Sequence, residues 1–176
     1  MNDLIPPDNS ELPRIGFGGG CHWCTEAVFQ QLRGVECVDQ GYIASQPPKA
    51  DFSEAVIVHF DPDEISLETL IEVHLNTHSA TATHQLRKNY RSAIYFFTEQ
   101  QREIAQEALR KFQNDFADPL ITEVLPYLAF RNSDPQHVNY YSSDPERPFC
   151  QRYIEPKLQL LQSKFIDEVN ERKESR

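Results

Sequence analysis

No run of about 18 apolar residues occurs anywhere in this chain, which excludes a membrane-spanning helix of ordinary length. Positive charge is also scarce. Lysine and arginine number 17 against 27 aspartates and glutamates, a net charge of -10, and nucleic-acid binding demands the opposite balance. The first residues, Met1 to Pro13, are acidic and carry Pro6, Pro7 and Pro13. They lack the basic and apolar regions of a secretion signal, so a cytoplasmic location is expected. Only four cysteines are present in 176 residues. Without an export signal, that usage points to chemistry or metal binding rather than to a disulfide framework. No internal repeat and no linker divides the chain. The expectation is one domain over 13–170, preceded by a loose arm over 1–12.

Glycine is sparse too, and three of the six glycines stand together in Gly18-Gly19-Gly20, directly before Cys21-His22-Trp23-Cys24. Arg14 to Phe17 reads as a strand. Cys24, Val28 and Leu32 then recur at helical spacing, with Ala27 and Phe29 flanking. Cys21 therefore falls where a glycine turn hands over to a helix. The unpaired N–H groups and the positive dipole end there favour an anion, and hence a thiolate. This makes Cys21 a candidate nucleophile; the competing reading is that Cys21 and Cys24 are small core residues under a tight turn.

Farther on, Val35 to Ile43 predicts a strand that would hold Cys37 as a core or sheet residue. Ser53 to Phe60 is apolar on both faces, the pattern of a central strand. Glu54 would lie at that strand's mouth, on the face of Val56, Val58 and Phe60. A partly desolvated carboxyl there suits a general acid; an exposed strand-end glutamate is the plainer alternative. Ser66 to Asn76 predicts a helix and Tyr90 to Phe97 a strand. Thr98 to Gln101 has a capping-box pattern before a helix with Ile104, Ala105, Ala108, Leu109, Phe112 and Phe116 inward. Residues 122–125 and 127–130 read as one interrupted edge strand or two short ones. Ser133 to Gln136 opens a helix carrying His137, Tyr140 and Tyr141, and a last helix starts near Pro156. Together these predict an α/β (α+β) two-layer sandwich, a mixed β-sheet with packed helices on a ferredoxin-like core.

The segment Gly20-Cys21-His22-Trp23-Cys24-Thr25-Glu26-Ala27-Val28-Phe29 resembles the signature of the A-type peptide methionine sulfoxide reductases. The resemblance continues through Gly34-Val35, Gly41-Tyr42, Glu54-Ala55-Val56 with Phe60-Asp61-Pro62, Tyr90-Arg91-Ser92-Ala93-Ile94-Tyr95, His137-x-x-Tyr140, Phe149-Cys150-Gln151 and Ile154-x-Pro156-Lys157. It implies a thiol-dependent reduction of methionine S-sulfoxide, free or in proteins. Cys21 would attack the sulfoxide sulfur, Glu54 would protonate its oxygen with help from the Tyr90 phenol, and Trp23 would wall the methyl pocket. Cys21 sulfenic acid would then condense with a resolving thiol, Cys150 by the match to relatives or alternatively Cys24. The resemblance further implies thioredoxin as electron donor and partner, with no other cofactor and no metal.

The chain departs from the pattern at His22, where the family has the phenylalanine that forms the second wall of the pocket. A tyrosine expected between Tyr42 and Glu54 is missing, and an aspartate expected before Tyr90 is replaced within Thr83 to Asn89, where Gln85 is the nearest substitute. These departures keep other readings open. One is a thiol–disulfide oxidoreductase using Cys21-x-x-Cys24. Others are a metal-binding module and a catalytically impaired relative that binds methionine sulfoxide.

Overall fold

The computed structural model describes residues 12–83 and 89–170. Six strands and five helices build it: β1 (Arg14–Gly18), α1 (His22–Gln30), β2 (Val35–Ala44), β3 (Ser53–Phe60), α2 (Leu67–Thr77), β4 (Ala93–Phe96), α3 (Glu99–Phe112), β5 (Glu123–Pro126), β6 (Ala129–Asn132), α4 (Tyr140–Ser143) and α5 (Glu155–Lys164).

The strands form one sheet in the order β5-β4-β1-β3-β2-β6. Its central four, β4-β1-β3-β2, are antiparallel and are connected through α1 and α2, which is the expected ferredoxin-like arrangement. β5 adds in parallel beside β4, and β6 adds antiparallel beside β2, so the sheet is mixed. Alternation along β3 explains the two layers. Val56, Val58 and Phe60 face the helices with Ile15 and Phe17, against Ala27, Val28, Leu70, Ile71, Leu158 and Leu161. Ala55 and Ile57 face the other way, with Ile43, Ala93 and Tyr95. Each Leu or Ile so buried is worth roughly 1.5–3 kcal/mol.

Several expectations need correction. The strand predicted from Tyr90 begins only at Ala93, and Tyr90 lies before it. Of the two readings for residues 122–125 and 127–130, two short strands is the one that holds, and they lie on opposite edges of the sheet. The predicted helix after Ser133 is two pieces, a 3-10 turn over Pro135–His137 and α4. They are split at Asn139, whose backbone is left-handed at φ 57°. The capping pattern at Thr98 holds on one side, with Thr98 Oγ1 accepting from the Gln101 N–H. Gln101 Oε1 accepts from the N–H of Phe97 rather than of Thr98. Most of the arm over 1–12, and Gln85, lie outside the described residues.

Candidate active site

β1 ends against β3 and β4 at a point where the backbone is crowded. A Cβ on Gly18 would stand 2.9 Å from the Arg91 carbonyl oxygen and 3.1 Å from that of Glu54. Gly20, at φ +133°, then takes a conformation L side chains avoid, and it swings the chain into α1. Cys21 is the residue before the helix. Its carbonyl accepts from the N–H groups of Cys24 (3.1 Å) and Thr25 (3.3 Å), and no acidic side chain occupies the first turn. The thiol itself is partly exposed at the positive end of the helix dipole.

Cys21 and Cys24 are one turn apart, and their thiols are hydrogen-bonded. That bond pushes the Cys21 thiol up and pulls Cys24 down, while the Trp23 N–H draws negative charge back toward Cys21. Lys157, from α5, lies within electrostatic reach of both sulfurs. Its ammonium donates to the Thr77 carbonyl, and burial pushes its pKa down. Cys150 is fully buried, in a π-turn over Cys150–Ile154, and burial raises its thiol. Its charge bears on Cys24. None of the four cysteines is disulfide-bonded, and Cys37 is an exposed sheet residue rather than a core one.

Glu54 stands at the start of β3, directly across from Tyr42 on β2. Its charge bears on the Cys21 thiol, and it is hydrogen-bonded to the Tyr90 phenol. The Glu54 charge and then burial raise Tyr90 above the usual phenol value. His22 is buried beside it. Its Nδ1 lies 2.8 Å from the Gly41 carbonyl oxygen, and its Nε2 lies 3.0 Å from Glu54 Oε1. Burial works against a charge on His22, but the bonds to Glu54 and Gly41 prevail and raise its pKa. The ring meets Tyr42 edge-on at 5.1 Å. His22 is therefore held in a polar clasp, not turned out as an open pocket wall.

Trp23 carries the aromatic surface. Tyr140 stacks on it at 4.1 Å, Phe149 meets it edge-on at 5.3 Å, and the His137 ring lies at 5.3 Å. Glu26 secures this cluster. The carboxylate is fully buried and accepts from the N–H groups of Asn139 (3.1 Å) and Tyr140 (3.3 Å). Burial raises its pKa, although both N–H bonds oppose that. Sequence reasoning assigned no role to Glu26, Lys157 or the Gly41 carbonyl. The available signal was Glu26 one turn after His22 and on the side of Trp23. Among the described residues, Cys21 and Cys24 belong to no cluster of metal-ligating side chains. Cys37, Asp39 and His59 do gather, on the sheet's other end, where His59 Nε2 lies 2.7 Å from Asp39 Oδ2.

The model of the peptide methionine sulfoxide reductase family matches residues 13–169. A peptide methionine sulfoxide reductase MsrA of Acinetobacter baumannii is 35% identical over 163 residues, which cover 85% of this chain and 94% of that protein. Among solved structures, Mxr1 of Saccharomyces cerevisiae in reduced form superposes with a TM-score of 0.72 at 19% identity, covering 85% of this chain and 95% of that one. The same yeast protein in complex with Trx2 gives 0.62 at 19% identity, covering 78% and 91%. A cysteine at a glycine-turned helix start, a carboxyl and a phenol beside it, and a sequence match across nearly the whole described chain agree: the chain belongs to the A-type peptide methionine sulfoxide reductases.

Proposed function

We propose that this chain reduces the S epimer of methionine sulfoxide, with Cys21 as nucleophile, Glu54 as general acid and Tyr90 as the group that orients Glu54. The observation that carries this reading is the convergence of the Cys21 thiol, Glu54 and Tyr90 from a helix start, a strand mouth and a loop. Cys21 thiolate attacks the sulfoxide sulfur while a proton from Glu54 goes to its oxygen. The sulfoxide gains two electrons and leaves as the thioether. Cys21 loses two and keeps the oxygen as sulfenic acid. Trp23 provides the apolar wall, and Tyr140 and Phe149 hold that wall in place.

The contact between the Cys21 and Cys24 thiols, which are hydrogen-bonded, also favours an order of thiol steps. Cys24 condenses first with the sulfenic acid, forming a disulfide and releasing water, since positions three apart on a helix start meet the reach of a disulfide. Cys150 then attacks the Cys24 sulfur, which frees Cys21 and leaves a Cys24–Cys150 disulfide. Thioredoxin is the reductant assigned to that bond, in keeping with the yeast relative's complex with Trx2.

The test is reduction of each epimer of N-acetyl methionine sulfoxide with dithiothreitol, which bypasses the resolving thiols. Wild type turns over the S epimer and Cys21→Ser does not; turnover of neither epimer by wild type overturns the reading. Disulfide mapping after one equivalent of sulfoxide checks the thiol order. Cys150→Ser accumulates the Cys21–Cys24 bond, whereas a direct Cys21–Cys150 bond in Cys24→Ser at the wild-type rate removes Cys24 from the path. Insulin reduction separates the thiol–disulfide oxidoreductase alternative, which requires catalysis that Cys24→Ser abolishes.

A further inference from the structure

We propose that His22 and Glu54 hold one proton between them, and that His22 thereby serves as a positioning residue that keeps Glu54 able to protonate the sulfoxide oxygen. The inference rests on the reading of Glu54 as the general acid.

Hydrogen-bond arithmetic at His22 carries the argument. A carbonyl oxygen only accepts, so the 2.8 Å contact with Gly41 requires the proton on Nδ1. Nε2 of a neutral ring is then a bare acceptor. It faces Glu54 Oε1 at 3.0 Å, and an ionised carboxylate is also a bare acceptor. Two acceptors at that distance need a proton between them. The pair is satisfied as neutral imidazole with carboxylic acid, or as imidazolium with carboxylate, and in each form it holds one shared proton. Phenylalanine, which the family places here, can take part in neither.

The surroundings keep the ring in this arrangement. His22 is 3% exposed, Tyr42 packs against its ring at 5.1 Å, and both ring nitrogens are engaged, which favours one ring orientation. The charged and titratable groups that face the pair come from every neighbouring element. Cys21 precedes His22, and Glu26 follows one turn later on α1. Tyr42 comes from β2, and Tyr90 contacts Glu54 from the loop before β4. These are neutral or anionic; behind Tyr42, Arg131 of β6 lies 4.9 Å over the Tyr42 ring and is the cation whose charge works against a proton on the pair.

The consequence is chemical. A lone carboxyl of ordinary acidity is ionised near pH 7, with a reference value of about 4.3, and has nothing to donate. The pair gives up its last proton only as the imidazolium titrates; burial alone would bring that event to lower pH, and the bonds to Glu54 and Gly41 move it upward. In the reacting complex, the pair's single proton reaches the sulfoxide oxygen through the Glu54 carboxyl. Cys21 supplies the electron pair. Neutral imidazole and carboxylate remain, and solvent restores the single proton.

The test measures methionine released in a single turnover by the pre-reduced full chain, from about pH 5 to about pH 9. Wild type is compared with His22→Phe, the family's own residue, and with His22→Gln, which keeps a donor but has no titratable proton. The alkaline fall in rate begins at least about one pH unit lower in both variants, while their rates at the acid end stay within about threefold of wild type. Profiles that are parallel at every pH make His22 merely structural and overturn the proposal. Nitrogen NMR of the His22 ring supplies a readout apart from catalysis. Nδ1 stays protonated throughout, Nε2 titrates, and Glu54→Gln lowers that titration. A ring in which Nδ1 titrates overturns the proposal even if activity is normal. A wild type that releases no methionine but shows the expected ring titration overturns the assigned reaction and leaves the pair standing.

Discussion

β3 carries one partner of a histidine–carboxylate pair at each end, and the two pairs behave differently. At its start, Glu54 meets His22 at 3.0 Å, with side chains 17% and 4% exposed. At its end, His59 meets Asp39 at 2.7 Å, with side chains 26% and 43% exposed. The second contact is the shorter, yet water screens it and no backbone carbonyl is seen fixing its tautomer. The first is the more buried of the two, and Gly41 decides which nitrogen carries the proton. Distance alone therefore does not distinguish a surface ion pair from a device that manages a proton. Burial and the partner of the second nitrogen do.

Breaking the pairs one at a time sharpens this contrast. The largest effect belongs to Glu54→Gln, which lowers the rate of methionine formation by about 100-fold or more, in the range for a lost general acid. Asp39→Asn leaves that rate unchanged in the same assay. Next comes Gly41→Ala. Its Cβ would stand 2.2 Å from the Arg131 carbonyl oxygen and 2.6 Å from the Phe130 ring, on β6. Forcing those strands apart costs about 1–3 kcal/mol in urea unfolding, and displaces the carbonyl that holds His22. His22→Ala, which removes one of the two side chains bonded to half-buried Glu54 and opens a gap under Tyr42, costs a similar ~1–3 kcal/mol, against less than about 1 kcal/mol for His59→Ala.

The smallest effect is that of Asp39→Asn on stability, below about 1 kcal/mol near neutrality and reduced further by salt. Its pH dependence has a definite sign. The hydrogen bond from His59 lowers the Asp39 carboxyl below its ordinary value. A group whose folded-state value is depressed stabilises above its unfolded value, and loses that contribution as pH falls through the folded one. Unfolding curves of wild type and Asp39→Asn therefore converge in acid; a difference that grows there contradicts the ion-pair account.

The residues that local pattern could place are those whose role is set by their own element. Cys21 stands out because three glycines precede it at a helix start; Glu54 at the mouth of a doubly apolar strand is singled out only with the family resemblance, since pattern alone favours an exposed strand-end glutamate. His22 has no such signal. Its partners arrive from β2 and β3, and only closure of the sheet brings Gly41 and Glu54 to one ring. Tertiary contacts also explain where the local reading failed. The helix expected through Tyr140 stops because Glu26 captures the N–H groups of Asn139 and Tyr140, and asparagine tolerates the left-handed backbone this requires. The strands near residue 125 part because the Tyr127 N–H bonds to the Phe96 carbonyl on one side of the sheet and the Leu128 N–H to the Ala44 carbonyl on the other. No periodicity in the sequence encodes that fork.

The buried carboxylate of Glu26 has a kinetic consequence as well. It pins the chain at Tyr140 to the helix that begins beside Cys21, so the segment from there to Cys150 is a short tethered loop. Closing such a loop costs an entropy that rises only with the logarithm of its length. A Cys150 thiol released from its buried seat would stay at high effective concentration near Cys24 and would not wander into solvent. Cutting the tether, as in Glu26→Gln, would leave every thiol in place yet make the approach of Cys150 the slow event of the cycle.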